Sequence, residues 1–297
     1  MWFIFALLAP AFFSVAEIAD NFFVNRKFKH PITLVFYSSL FNLLYIPILF
    51  FFSHPSLPPA HTWPIIILLG LVNVSYLYPY YKGLQSDDTS VVISFLAIER
   101  IMVPILAFLI VGEILTPIQY FGIFLIVVSV FLLGLHHVRT KIKFSRGVWY
   151  ISWAALFLAL EAVLLKLAFS QGVTLSTALG GEMATALIFG ISIFLIPKVR
   201  KQIIEAFPVF IKLSPLFLLE EAFTFLGLVA EGYAISLTSV SVVKGITMAS
   251  PFFLVLYAWM GSGLFPTFFK EDLHRKKVIH KLVLFAILII GVILVKE

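Results

Sequence analysis

Apolar residues run almost unbroken through ten stretches of this chain, at about 2–24, 31–52, 63–82, 89–111, 116–136, 147–169, 176–197, 214–236, 240–262 and 278–295. Each is long enough to cross a hydrocarbon core of ~30 Å as a helix. Pro31, Pro64, Pro117, Pro197 and Pro215 mark their ends, as does the polar cluster Ser86-Asp87-Asp88. The pattern predicts an all-α polytopic membrane protein with ten transmembrane helices.

The pattern also repeats. Ser90-Val91-Val92 is answered 151 positions later by Ser241-Val242-Val243, and Gly112 by Gly263 in the same register. The chain therefore reads as an internal duplication. Residues 1–138 form a first five-helix repeat, 139–146 a basic linker, and 147–297 a second five-helix repeat. Five is odd, so the two copies must cross the membrane in opposite senses and make an inverted repeat.

Charge sets the orientation. Of the 21 Lys and Arg residues, 17 lie on one side, in or at the edges of the loops after predicted helices 1, 3, 5, 7 and 9, and only Lys296 lies on the other side. The remaining three, Arg100, Lys166 and Lys244, are deeper inside predicted spans. The bias places the basic loops in the cytoplasm and both termini outside. The first apolar run lacks the basic n-region of a signal peptide and is read as the first transmembrane helix.

Bulk composition agrees with lipid as the solvent: 61% of residues are hydrophobic and 12% charged, with a mean hydropathy of +1.07. A soluble domain is nearer ~25% charged. With no cysteine in the chain, disulfides, thiolate metal sites and a cysteine nucleophile are excluded. The net charge of +6 comes from short loops and marks topology, so no nucleic-acid partner is expected. There is no phosphate-cradling Walker loop and no zinc-protease helix motif. His136-His137 reads as an interfacial pair beside basic residues. No enzyme activity, cofactor or metal is expected.

The informative residues are charges where lipid should be. Glu17, Asp20, Glu99, Glu161, Glu182, Glu220, Glu221 and Glu231 all lie within predicted spans, with only Arg100, Lys166 and Lys244 to balance them. A central Asp, Lys or Arg costs ~2.5–3.5 kcal/mol on insertion scales, so these groups must pair or line a wet cavity. Because three bases cannot neutralise eight acids, some carboxyls hold a proton or reach water. Glu161 and Glu182 sit at comparable outer depths and are the first candidates for a proton or cation site. Glu17 is the third, at a position on helix 1 similar to that of Glu161 on helix 6. Glu231 and Lys244 flank a tight turn that makes an ion pair easy. Lys166, near its helix end, is expected to snorkel to the interface.

Glu99 and Arg100 fall at mid-depth. As neighbours they point about 100° apart on a helix, so each is expected to need a partner from another helix. Two roles stand side by side: Arg100 holding a substrate carboxylate or phosphate, or an interhelical salt bridge to Glu17 or Glu220. The cluster Tyr76, Tyr78, Tyr80 and Tyr81 brings phenols to helix 3. It suits a cavity wall or an interfacial belt, and Tyr78 and Tyr81 join Glu99, Arg100, Glu231 and Lys244 as candidate substrate-binding residues. Ser241, Gly245 and Ala249, and Gly180 with Ala184, form small-residue stripes for close helix approach.

These residues resemble a known family. Gly112-Glu113-Ile114-Leu115-Thr116 after helix 4, Tyr120-Phe121-Gly122-Ile123 opening helix 5, Tyr81-Lys82-Gly83-Leu84 and Tyr233-Ala234-Ile235 before helices 4 and 9, and Pro251 in helix 9 are similar to EamA-like members of the drug/metabolite transporter superfamily. The chain departs from that pattern with Gly263-Leu264 where Gly-Glu is usual and Arg100 where proline is common. The resemblance implies a multi-pass transporter, of a bacterial inner membrane, that moves a small metabolite and often exports it.

The expected function is secondary transport of a small cationic or zwitterionic metabolite by alternating access with proton coupling. Its cavity should lie between the repeats, lined by helices 1, 3, 4, 6, 8 and 9. Two other readings stand beside it: a carrier or flippase for a lipid-linked or phosphorylated metabolite, and a membrane-embedded enzyme or non-transporting scaffold. A sealed core with every charge paired favours the scaffold. A cavity reaching Glu99 and Arg100 favours transport.

Overall fold

The computed structural model describes residues 1–53, 55–86, 95–96, 98–136, 146–261 and 275–296. Ser90-Val91-Val92, most of the linker and Gly263-Leu264 lie outside the described residues. The described chain is helical and contains no strand.

Sequence punctuation accounts for the helix ends. Helix α1 (Trp2–Arg26) stops before His30, which is extended because Pro31 follows it, and Pro31 then occupies the first turn of α2 (Pro31–Phe52). Helix α3 (Trp63–Ser86) precedes α4 (Ile98–Val111), which ends at Gly112 with φ +68°. Only glycine takes that conformation freely, and it turns the chain into α5 (Pro117–His136). Helix α6 (Arg146–Ser170) ends at Gly172, φ +83°. Helix α7 (Leu175–Ser192) starts at Thr174, whose side chain accepts the backbone N–H of Thr177. Seven helical runs among the described residues are long and apolar enough to cross a membrane, whereas Pro117–Leu132 and Val283–Lys296 are shorter apolar stretches.

Two elements differ from the sequence expectation. The basic stretch after α7, expected as a loop, is helical: α8 runs without interruption from Pro197 to Leu237. Its prolines at 208 and 215 each remove one backbone donor, a defect that packing against α2 offsets. The helix expected over 240–262 is broken into α9 (Val240–Thr247) and α10 (Ser250–Gly261). Residue 251 is proline and has no N–H for the carbonyl of Thr247. The Ser250 hydroxyl donates to that carbonyl instead, at 3.3 Å. Helix α11 (Arg275–Lys296) closes the chain.

The most extensive helix pairings are α3 with α6 and α1 with α8, followed by α5 with α11. Helix α2 packs on α7, and α4 on α6 while α9 and α10 pack on α1. Exchange of the two halves turns each of these pairings into another or into itself. At the α5–α11 crossing the backbones nearly touch: a Cβ on Gly122 would lie 2.8 Å from the carbonyl of Gly291, and the reverse distance is the same. The core is split into a large cluster around α3–α7, α9 and α11 and a smaller, aromatic one where α1, α2 and α8 meet.

Candidate functional site

A cavity of about 150 Å³ lies where the halves meet. Helices α1, α3, α4, α6, α8 and α9, the six named from the sequence, all contribute, and α5 adds Val130. Helical spacing selects the lining. Phe13, Glu17 and Asp20 share one face of α1, and Thr224, Leu228 and Glu231 share one face of α8. Ser250, at the break between α9 and α10, reaches the same space.

One wall is an ion network. Lys244 Nζ lies 2.9 Å from Glu231 Oε2 and 3.4 Å from Glu99 Oε1, and Arg100 pairs with the other oxygen of Glu99. Glu231 and Lys244 thus form the ion pair expected across the α8–α9 turn. Glu99 has the partner from another helix that was expected, Lys244, whereas Arg100 departs from the expectation among the described residues: its long guanidinium arm folds back onto its neighbour Glu99. Neither joins Glu17 or Glu220 in a salt bridge among the described residues. Glu99 is nearly inaccessible, at 1% exposure, and its cross-half partner is Lys244. Two acids and two bases balance within this network. The acids left on the cavity wall are Glu17, Asp20 and Glu161.

Behind that wall is a second arrangement, in which Glu161 and Glu182, paired from the sequence, come together around Asn73, which no sequence signal announced. The side-chain amide of Asn73 on α3 donates to Glu161 Oε1 on α6 at 3.2 Å and to Glu182 Oε1 on α7 at 2.9 Å. The shared amide of Asn73 brings the two carboxyls side by side. Glu161 lines the cavity, while Glu182 sits behind it, buried. Tyr80 donates to Asp20 Oδ2 at 3.3 Å, and Thr224 to Glu220 Oε1 at 3.1 Å. Glu17 Oε2 has no hydrogen-bond partner among the described residues.

The tyrosines divide by face. Tyr76 and Tyr80, one turn apart and aligned with Asn73, line the cavity. Tyr78 is 39% exposed and does not. Tyr81 is buried with its hydroxyl 3.4 Å from that of Ser38, also off the cavity wall. Helical geometry could have made this choice once Asn73 was recognised as an inward residue.

Two further charges hold the α8–α9 turn. The carboxylate of Glu113 accepts the N–H groups of Val240 at 2.9 Å and Ser241 at 3.1 Å, capping α9 from the loop after α4. Lys166 does not snorkel. Its ammonium donates to the carbonyls of Ile235 at 3.0 Å and Thr238 at 2.6 Å, at the end of α8. An anion at a helix start and a cation at a helix end both complement the helix dipole. The Gly112-Glu113 pair was visible in the sequence, but its distant target was not.

Residues 1–135 match the EamA-like transporter family. No curated protein matches the chain. A crystal structure of a protein that is 13% identical superposes over 99% of this chain and 97% of its own with a TM-score of 0.70, so the two share a fold.

Proposed function

We propose that this multi-pass membrane protein is an EamA-like transporter, a secondary exporter of a small cationic or zwitterionic metabolite, driven by protons and working by alternating access. The observation that carries the reading is the cavity itself: lined by helices of both halves, reached by Glu99 and Arg100, and bearing unbalanced carboxyls. A scaffold would have no use for acids that its own bases leave uncompensated. A cavity near 150 Å³ holds a molecule about the size of benzene, which points to a small substrate.

In this reading the two halves are inverted repeats with both termini outside. The exchange symmetry of the helix pairings supports the first point, and the loop Lys/Arg bias the second. Rocking one half against the other exposes the cavity to each side in turn. Substrate ammonium is held by Glu17 and Asp20, with Tyr76 and Phe13 as apolar walls. Arg100 takes an anionic group where the substrate has one. Glu161 and Glu182 share a proton, with Asn73 holding both in place. Arrival of a cation at Glu161 displaces that proton.

The test is proton flux in liposomes holding the wild-type protein or Glu99→Gln, Arg100→Gln, Glu161→Gln or Glu182→Gln, with metabolite pools under an imposed pH gradient. Substrate-dependent proton movement in wild type, lost in Glu161→Gln and Glu182→Gln, is expected. Transport that moves no protons and is unchanged in those two variants would refute the coupling. No transport from any pool by folded protein would refute the exporter reading.

A further inference from the structure

Helix α8 has 41 residues, which at 1.5 Å per residue is about 60 Å, twice the hydrocarbon thickness. Its last part, from about residue 217, supplies the cavity. Its first part, 197–213, does something else, and three observations say where it lies.

One face of this segment is fixed to the protein. Tyr37 donates its hydroxyl to the carbonyl of Ile203 at 2.6 Å, and the Phe210 ring stacks on Tyr37 at 4.1 Å. The other face carries an apolar stripe: Ile204, Phe207 and Ile211, at spacings of three and four, are 58%, 52% and 53% exposed. Such a stripe is unfavourable in water. Yet the segment cannot sit in hydrocarbon either. Lys198, Arg200, Lys201, Glu205 and Lys212 are all exposed along it, and charged side chains facing lipid are costly. What fits both constraints is the membrane interface.

Charge names the lipid. Lys198, Arg200, Lys201 and Lys212 are exposed on this segment against Glu205 alone. The Lys201–Glu205 pair is 4.0 Å apart with both side chains open to solvent, so it neutralises little. We propose that residues 197–213 form an interfacial collar that binds anionic phospholipid headgroups, its apolar stripe in the acyl boundary and its basic residues among the phosphates. The same helix carries Thr224, Leu228 and Glu231 into the cavity, so lipid held here is mechanically continuous with the site. The inference requires only that the protein spans a membrane and stands apart from what it transports.

The experiment places a reporter in the stripe. Phe207→Trp is reconstituted in nanodiscs of mixed phosphatidylcholine and phosphatidylglycerol, with bromine on the acyl chains of one lipid or the other. The tryptophan signal is taken as the difference from the parent protein. Bromine on the anionic lipid is expected to quench the reporter several-fold more than the same bromine on the neutral lipid, since each basic group near an anionic leaflet gains about fivefold. The preference should vanish in the Lys198→Gln, Arg200→Gln, Lys201→Gln, Lys212→Gln combination and fade at high salt in the protein with all four charges. The salt arm answers the question even where the combined variant folds poorly. Equal quenching by both lipids would overturn the anionic selectivity, and no quenching by either would overturn the interfacial placement.

Discussion

The ammonium of Lys244 stands 3.4 Å from the carboxylate of Glu99, an ion pair that joins α9 of the second half to α4 of the first. Both side chains are more than nine-tenths buried, and each has one further partner, Glu231 or Arg100. Charges this far from water are held only while the set is complete.

Lys244→Met therefore leaves Glu99 and Glu231 sharing one cation, and a loss of about 3–5 kcal/mol is expected from thermal or denaturant unfolding in detergent. Adding Glu231→Gln restores balance, leaving the Glu99–Arg100 pair. The double variant should recover about 1–3 kcal/mol of that loss. A double variant worse than Lys244→Met would show that the network is not held by charge balance.

Asn73→Leu keeps the volume of the side chain and removes both of its hydrogen bonds to Glu161 and Glu182. Each abandoned buried acceptor costs about 1–3 kcal/mol, so the variant should unfold more readily than wild type. Glu182→Gln in the same background removes one of the two carboxyls and should return part of the stability. Melting temperatures of the three proteins at a single neutral pH decide the matter.

Glu113→Ala takes the cap from α9 across a gap of 127 residues in sequence. Loss of a helix cap costs about 0.5–2 kcal/mol. The local signature is faster amide hydrogen exchange at Val240 and Ser241, with α5 and α11 unaffected. Glu113→Gln, which keeps one carbonyl oxygen, should lie between the two.

Gly291→Ala puts a methyl 2.8 Å from the carbonyl of Gly122. Backbone cannot yield as a flexible side chain can, so α5 and α11 must separate, at about 1–3 kcal/mol. Thermal unfolding should fall accordingly. The same substitution at Gly172, where nothing lies within 4 Å of the added atom, introduces no clash and acts only through its φ of +83°.

Much of the fold was legible along the chain, because a bilayer leaves few options. Runs of the right length have to be helices, since only helices satisfy their own backbone in lipid, and prolines and glycines at 31, 112, 117 and 197 mark the ends. The charges were legible for the same reason: Glu99, Arg100, Glu161, Glu231 and Lys244 stand out against apolar neighbours, and all five line the cavity. Polar residues of ordinary appearance were not legible. Asn73 gives no contrast in a helix that also holds Ser75 and four tyrosines, so the choice between Tyr76 or Tyr80 and Tyr78 or Tyr81 had no anchor.

By itself, then, the sequence determined that the chain is helical, membrane-embedded and burdened with more buried acid than base, because burial of charge is a cost that composition alone reveals. Tertiary structure alone decided who pairs with whom. Arg100 folds onto Glu99, which also reaches Lys244, Asn73 bridges two helices, Glu113 finds α9 across the chain, and the basic stretch after α7 becomes the start of α8. Each of these depends on distances between segments far apart in sequence or on a surface to pack against, and periodicity within one helix carries no record of either.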